Sequence, residues 1–274
     1  MSGERAGTFI ATKEHRRFTE FAEAVRKHRY VGLCYGAAGV GKTLSARRYA
    51  HWDVAGPLIE TWNRPRDATR KKVNEVLARS RTVFHTPTVL GTLRDLRETL
   101  SDHMGRVDSC IDDHLHRHVK GCRIVEPYGS LVAMLIVDEA ERLSVTALEF
   151  IRDLFDRTGV GVILIGMPGM EKRLSRYPQL YSRVGFAHHY RPLQGDELSF
   201  VLTRHWRKLG LTLDEADFTD TQAMASIARI TGGNFRLLHR LFVQIERILK
   251  IHGLSVITDD VVEAARSTLV IGAT

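Results

Sequence analysis

RYVGLCYGAAGVGKT, residues Arg29–Thr43, reads as a strand running through a glycine turn into a helix. Its first half is a compact run of strand-forming residues, and its second half satisfies G-x-x-x-x-G-K-S/T. A helix is expected from about Lys42 to His51. In that order, strand, glycine loop and helix make a phosphate cradle. The glycines let the backbone curl so that successive N–H groups and the positive helix end face an anion. Lys42 has the reach to meet β- and γ-phosphate oxygens, and the Thr43 hydroxyl is suited to ligate Mg²⁺. The candidate binding set is Gly36, Ala37, Ala38, Gly39, Val40, Gly41, Lys42 and Thr43, and the ligands expected are a nucleotide and Mg²⁺.

A second motif lies downstream. Leu135-Ile136-Val137-Asp138-Glu139 is an apolar strand ending in two carboxylates, where the C-terminal edge of an open α/β sheet gathers its ligands. Asp138 is expected to hold Mg²⁺ and join the cofactor-binding set, and Glu139 to polarise the water that attacks the γ-phosphate. Around these motifs the chain alternates strand and helix. A helix capped by Thr12 runs through KEHRRFTEFAEAVRKH, with Phe18, Phe21, Ala22 and Val25 on one face. PLIETW reads as a short strand and DATRKKVNEVLARS as a helix with a basic face. RTVFHT (Arg81–Thr86) reads as a strand ended by Pro87, with Thr88 capping a helix that carries Leu90, Leu93, Leu96 and Leu100. SLVAMLIVDE (Ser130–Glu139) and VGVILIG (Val160–Gly166) are continuous apolar runs of doubly buried parallel strands, joined by a helix from about Val145 to Arg157. After about Tyr190 only helical patterns follow, near 195–209, 221–230, 235–251 and 258–268. The fold class expected is α/β: a P-loop NTPase parallel sheet flanked by helices, then a small all-helical lid. The expected domains are residues 1–190, with the N-terminal helix, and 191–274.

With 274 residues and 43% apolar content the chain can bury a sizeable core, which argues against disorder. No apolar run approaches the roughly 20 residues that span a bilayer, and MSGERAGTFIATKEHRR has no signal-peptide core. No membrane partner and a cytoplasmic location are expected. Three cysteines make no disulfide framework. Cys110, His114, His116, His118 and Cys122 match no usual zinc spacing and read as ordinary side chains. Cys34 reads as a small core residue, and Trp52 and Trp62 as packing residues. The formal charge is +8, and Arg64–Arg81 concentrates it, with seven basic residues against two acidic ones. Within that stretch Arg66, Lys71 and Lys72 are the candidate contacts to a DNA backbone, with a solvated helix face as the plain alternative.

The two motifs, DEAERL after the second, and the helical C-terminal part together resemble the AAA+ ATPases over most of the chain. That resemblance implies assembly with ATP between subunits. It also implies an arginine finger, for which Tyr181-Ser182-Arg183 matches the Ser-Arg motif, with Arg176 the second choice and a surface ion pair the plain alternative. Thr231-Gly232-Gly233-Asn234-Phe235-Arg236 resembles the G-x-R second sensor, which makes Arg236 a nucleotide contact; otherwise Gly-Gly ends one helix and Asn234 caps the next. The first sensor departs from the family pattern, with Met167 where Asn or Thr is usual.

RTVFHTPTV, LIVDEAERL, ILIGMPGMEKRL, QLYSRVGF and the GGN-F-R lid look most similar to the ATP-dependent transposition regulators, the TniB, TnsC and MuB group and their ExeA-like relatives. That likeness implies an ATPase, catalysed by Glu139, Lys42 and Arg183. It would oligomerise as a ring or filament on double-stranded DNA and act on a transposase, with or without a target-selecting adaptor. The readings it competes with are an ExeA-like nucleotide-switched assembly factor without DNA binding and a helicase loader or initiator.

Overall fold

The computed structural model of the chain describes residues 9–63, 67–116 and 131–269. They form two compact units. The first comprises Arg17–Gly36 and Lys42–Tyr190. The second joins residues 9–16, 37–41 and 191–269, so the N-terminal segment and the crest of the glycine loop group with the helical part of the chain rather than with the sheet.

The first unit is a five-stranded sheet, parallel throughout, with strands β1 (Val31–Tyr35), β2 (Thr82–His85), β3 (Met134–Val137), β4 (Gly161–Gly166) and β5 (Val184–His189) in the order β2-β3-β4-β1-β5. Strands β2, β3 and β4 are buried along their whole length, β3 and β4 as their unbroken runs without polar side chains demand, and β2 although it carries Thr82 and His85. Helix α1 (Lys13–His28) lays Phe18, Phe21, Ala22 and Val25 toward the sheet. It comes so close to β1 that a Cβ on Gly32 would lie 2.5 Å from Val25 Cγ2 and 2.7 Å from Phe21 Cζ, so only glycine fits there.

Three expectations change. PLIETW is not a strand: Trp52–Thr61 is helix α3, because Trp52, Ala55, Leu58 and Ile59 are buried at helical spacing and Trp52 Nε1 donates to Glu60 Oε1 at 3.0 Å. The helix after β2 is α5 (Leu93–His116), and it starts at Thr92, not Thr88. Thr92 Oγ1 accepts from Asp95 N at 3.2 Å while Asp95 Oδ2 accepts from Thr92 N at 2.8 Å, a reciprocal cap that Thr88 lacks. Leu90 consequently stands 93% exposed. The third change is an added strand: β5 carries no apolar run and pairs only with β1. It is an edge strand, and the Tyr30 ring covers its Gly185. DATRKKVNEVLARS is helix α4 (Asp67–Ser80), and Val145–Thr158 is α6. Short helices α2 (Lys42–Tyr49), α7 (Met170–Leu174) and α8 (Pro178–Tyr181) complete this unit.

In the second unit, α9 (Asp196–Lys208), α10 (Phe218–Thr231), α11 (Phe235–His252) and α12 (Asp259–Ser267) enclose a core around Val201, Trp206, Leu238, Phe242 and Ile245 that also takes in Ile10. Three of these helices start on side-chain caps: Asp217 for α10, Asn234 for α11 and Thr258 for α12. Gly232 and Gly253, at φ 54° and 62°, close α10 and α11. Among the described residues no helix is long and apolar enough to cross a membrane.

Candidate nucleotide site

All five strands point the same way, so β1, β4 and β3 end side by side on one edge, with β4 between the strands that carry the two motifs. Parallel pairing thus brings the ends of β1 and β3 to the same edge, one strand apart, although about a hundred residues separate them. Gly36 is held by close approach: a Cβ there would lie 2.3 Å from Tyr190 O. Tyr190 in turn donates its N–H to Tyr35 O at 2.8 Å, and its hydroxyl lies 2.8 Å from Ser45 Oγ. Lys42 is 8% exposed and donates from Nζ to Gly36 O at 2.5 Å. The ammonium thus lies beside the loop's own entry.

Thr43 Oγ1 donates to Asp138 Oδ2 at 2.6 Å. A hydroxyl and a carboxylate from the two motifs thereby converge, an all-oxygen donor pair that suits a hard divalent cation. Burial raises the Asp138 carboxyl above the usual carboxylate range, against the opposing hydrogen bonds from Thr43 and the Glu139 N–H. A buried anion of this kind gains from a cation beside it, so the residues present fit Mg²⁺. Glu139 follows at φ 49°, its N–H donating to Asp138 Oδ1 at 3.0 Å, and its carboxylate pairs with Arg142. Met167, just beyond β4, is 39% exposed and offers only a thioether.

The loop crest, Ala37–Gly41, packs within the helical unit. Gly39 and Gly41 hold φ of 80° and 114°, conformations that other residues rarely adopt. Asn234 Nδ2 donates to Ala38 O at 2.7 Å, and Arg236 N donates to Gly39 O at 3.0 Å. Gly233 sits so tightly that a Cβ would lie 2.0 Å from Leu193 O. The Gly-Gly-Asn sequence is therefore a helix stop and a helix cap, and at the same time a clamp on the loop. The Arg236 side chain is exposed at the start of α11. Asn234 is the site residue that sequence reasoning took for a cap alone; its place immediately before the Arg of the lid motif was the available signal.

Other candidates lie apart from Lys42, Thr43 and Asp138. Arg183, at the entry to β5 and therefore at the opposite edge of the sheet, forms a two-pronged pair with Asp156 at 2.6 and 2.7 Å and also donates to Gln179 O. Arg183 first, then Arg152, holds the Asp156 carboxyl below its usual range. Arg176 is exposed. On α4, Lys71 and Lys72 are exposed, while Arg70 pairs with Asp113 at 2.5 Å and Arg79 with Glu75 at 2.5 Å. Arg66, His118 and Cys122 lie outside the described residues. Cys34 and Cys110 are buried, and burial pushes the Cys110 thiol up to about 11. Trp52 is buried, and Trp62 is 40% exposed with the Arg106 guanidinium over its ring.

A family model described as an AAA domain matches residues 25–174. A protein of Staphylococcus aureus named potential ATP-binding protein is 43% identical over 269 residues, covering 96% of this chain and 97% of its own. The Mu-like prophage FluMu DNA transposition protein B of Haemophilus influenzae is 26% identical over 249 residues, covering 86% of this chain and 72% of its own. Among solved structures, the RuvB Holliday junction branch migration motor of Thermotoga maritima aligns with a TM-score of 0.55 at 17% identity, covering 93% of this chain and 68% of that one. The ORC2 protein of Aeropyrum pernix aligns at 0.54 and 18% identity, covering 95% and 70%.

Proposed function

Because the chain belongs to the AAA family of P-loop ATPases, we propose that it hydrolyses ATP, assembles with ATP on double-stranded DNA, and acts there as a target-selecting regulator of a transposase. ATP binding is the family property, and the 43% identity to a protein named for ATP binding agrees with it. The DNA-directed part is carried by one observation, the likeness to a DNA transposition protein along 86% of the chain.

The roles follow from the site. The N–H groups of the loop and Lys42 bind the triphosphate, and the loop's positive-φ glycines admit it without a side-chain clash. Thr43 and Asp138 are the residues that would hold Mg²⁺, which supplies charge neutralisation to the phosphates. Glu139 orients the attacking water and takes its proton: the water oxygen bonds to the γ-phosphorus, the bond from that phosphorus to the β-bridging oxygen breaks, and ADP and inorganic phosphate leave. Arg236 would contact the nucleotide from the same chain. Arg183 would reach a neighbouring subunit's nucleotide after exchanging Asp156 for the γ-phosphate, so ATP would hold the assembly together and hydrolysis would loosen it. Lys71 and Lys72, exposed on α4, and Arg66 would follow DNA phosphates.

A second reading, a nucleotide-switched assembly factor that ignores DNA, is favoured by the pairing of Arg70 and Arg79 with carboxylates, which leaves α4 fewer uncommitted cations. Fluorescence anisotropy on duplex DNA, with ATP or ADP and across a salt series, separates the two. The proposal expects ATP-dependent binding that weakens steeply with salt and is trapped by Glu139→Gln. ATP-induced oligomers with negligible DNA affinity at low salt would leave the second reading standing instead.

A further inference from the structure

We propose that Arg142 is a positioning residue that latches Glu139 between turnovers, so that hydrolysis waits on release of one ion pair. The inference deepens the reading of Glu139 as general base and rests on it. Three features carry it. First, Glu139 takes a left-handed backbone, φ 49° and ψ 43°, and starts the 3₁₀ turn Ala140–Arg142, which brings the Arg142 guanidinium back onto the Glu139 carboxylate. A non-glycine residue in that conformation is disfavoured and persists where surrounding structure enforces it.

Second, the latch is anchored independently of Glu139. Arg142 Nη1 donates to Pro87 O at 2.9 Å, in the segment between β2 and α5. From α7, Arg173 donates to Glu141 O at 2.6 Å and also to Leu143 O, so the carbonyls on both sides of Arg142 are held. A guanidinium already fixed by a carbonyl loses little further freedom on meeting a carboxylate, unlike a free surface arginine. Third, Arg142 lines a cavity of about 330 Å³ together with Pro87, Thr88, Thr92 and Ser144, which is space the side chain can enter on letting go.

The chemical consequence is direct. A general base must bring a carboxylate oxygen within hydrogen-bond reach of its water, and Arg142, by holding Oε2, ties the whole Glu139 side chain to its own turn. Hydrolysis itself is unchanged: the water oxygen joins the γ-phosphorus, the bond to the β-bridging oxygen breaks, the proton goes to Glu139, and ADP and phosphate result. Only the fraction of time that Glu139 is free depends on Arg142.

Steady-state hydrolysis and ATP titrations on the full chain test this. Arg142→Ala and Arg142→Met, the second retaining the aliphatic stem should the first fail to fold, are expected to raise kcat by about two- to five-fold with KM and ATP Kd within about 1.5-fold of wild type, the size expected for freeing one partly exposed ion pair. Arg142→Lys restores the low rate in part, and adding Glu139→Gln abolishes the gain. Hydrolysis by Arg142→Ala from a wild type that binds ATP without hydrolysing it supports a tighter latch. A folded Arg142 variant with unchanged or lower kcat overturns the latch while leaving the ATPase reading intact. A wild type that binds no ATP removes the ATPase reading itself, and the latch with it.

Discussion

Asn234 does two jobs that substitution can separate. Its Oδ1 accepts from Arg236 N at 3.1 Å and Leu237 N at 3.2 Å, capping α11, while Nδ2 donates to Ala38 O at 2.7 Å. Asn234→Ala removes both: a cap worth about 1 kcal/mol and a hydrogen bond worth about 1 kcal/mol. Together they amount to about 2 kcal/mol, or a fall in Tm of about 4–8 °C. Asn234→Ser keeps a capping oxygen and gives up the reach to Ala38 O, so its Tm should fall by only about half as much. Loss of the Ala38 contact also loosens the loop before ligand arrives. If the full 1 kcal/mol of preorganisation is lost, ATP affinity falls about five-fold in both variants. Calorimetric titration with ATP beside thermal melts reads both quantities. Asn234→Ser with wild-type affinity and wild-type Tm would refute the clamp, and Asn234→Ser as unstable as Asn234→Ala would refute the cap.

Asp138→Asn should stabilise the nucleotide-free protein, because burial already opposes the charge of that carboxyl, with a gain in Tm of about 2–4 °C per kcal/mol relieved, while Mg²⁺ ceases to strengthen ATP binding; unchanged Mg²⁺ dependence contradicts the assignment. His205, stacked on Phe242 at 4.4 Å, has its pKa pushed down to about 4 by burial, with Lys208 and His239 adding to the effect. A folded-state value below the unfolded one means stability is lost as pH falls from about 6.5 to about 4, by about 3 kcal/mol. His205→Phe should abolish that part of the acid sensitivity of the helical unit, measured as denaturant midpoint against pH, whereas an unaltered pH profile would show that His205 is not its source. His85, lowered to about 4 mainly by burial and then by His103, predicts the same sign in the sheet unit. Gly233→Ala places a Cβ 2.0 Å from a backbone oxygen at φ 72° and should unfold the helical unit or cost several kcal/mol; a mild effect in chemical denaturation would show that the approach relaxes easily.

What could be read in advance follows from where the physics is local. The loop Gly36–Thr43 and the strand Met134–Val137 announce themselves because phosphate cradles and doubly buried strands demand residue types at fixed spacing. The helix over Trp52–Thr61 did not, since PLIETW looks extended until Trp52 and Ala55 are added to its periodicity. The edge strand Val184–His189 was illegible for a different reason: its partner β1 is about 150 residues away and its exposed side needs no apolar face. The site divides in the same way. Lys42, Thr43 and Asp138 are set by short motifs. The bond from Asn234 to Ala38 O and the tie from Arg142 to Pro87 O depend on parts of the chain brought together only by folding.

A nucleoside triphosphate held by Gly36–Thr43 and Asp138 underlies every role assigned to this site. Isothermal titration of the full chain with ATP and Mg²⁺, beside Lys42→Ala, checks that grip. The wild type should bind one nucleotide per chain, and Lys42→Ala should lose it at unchanged Tm. A well-folded wild type that takes up no nucleotide, or a Lys42→Ala variant that binds it undiminished, would show that these residues do not hold it.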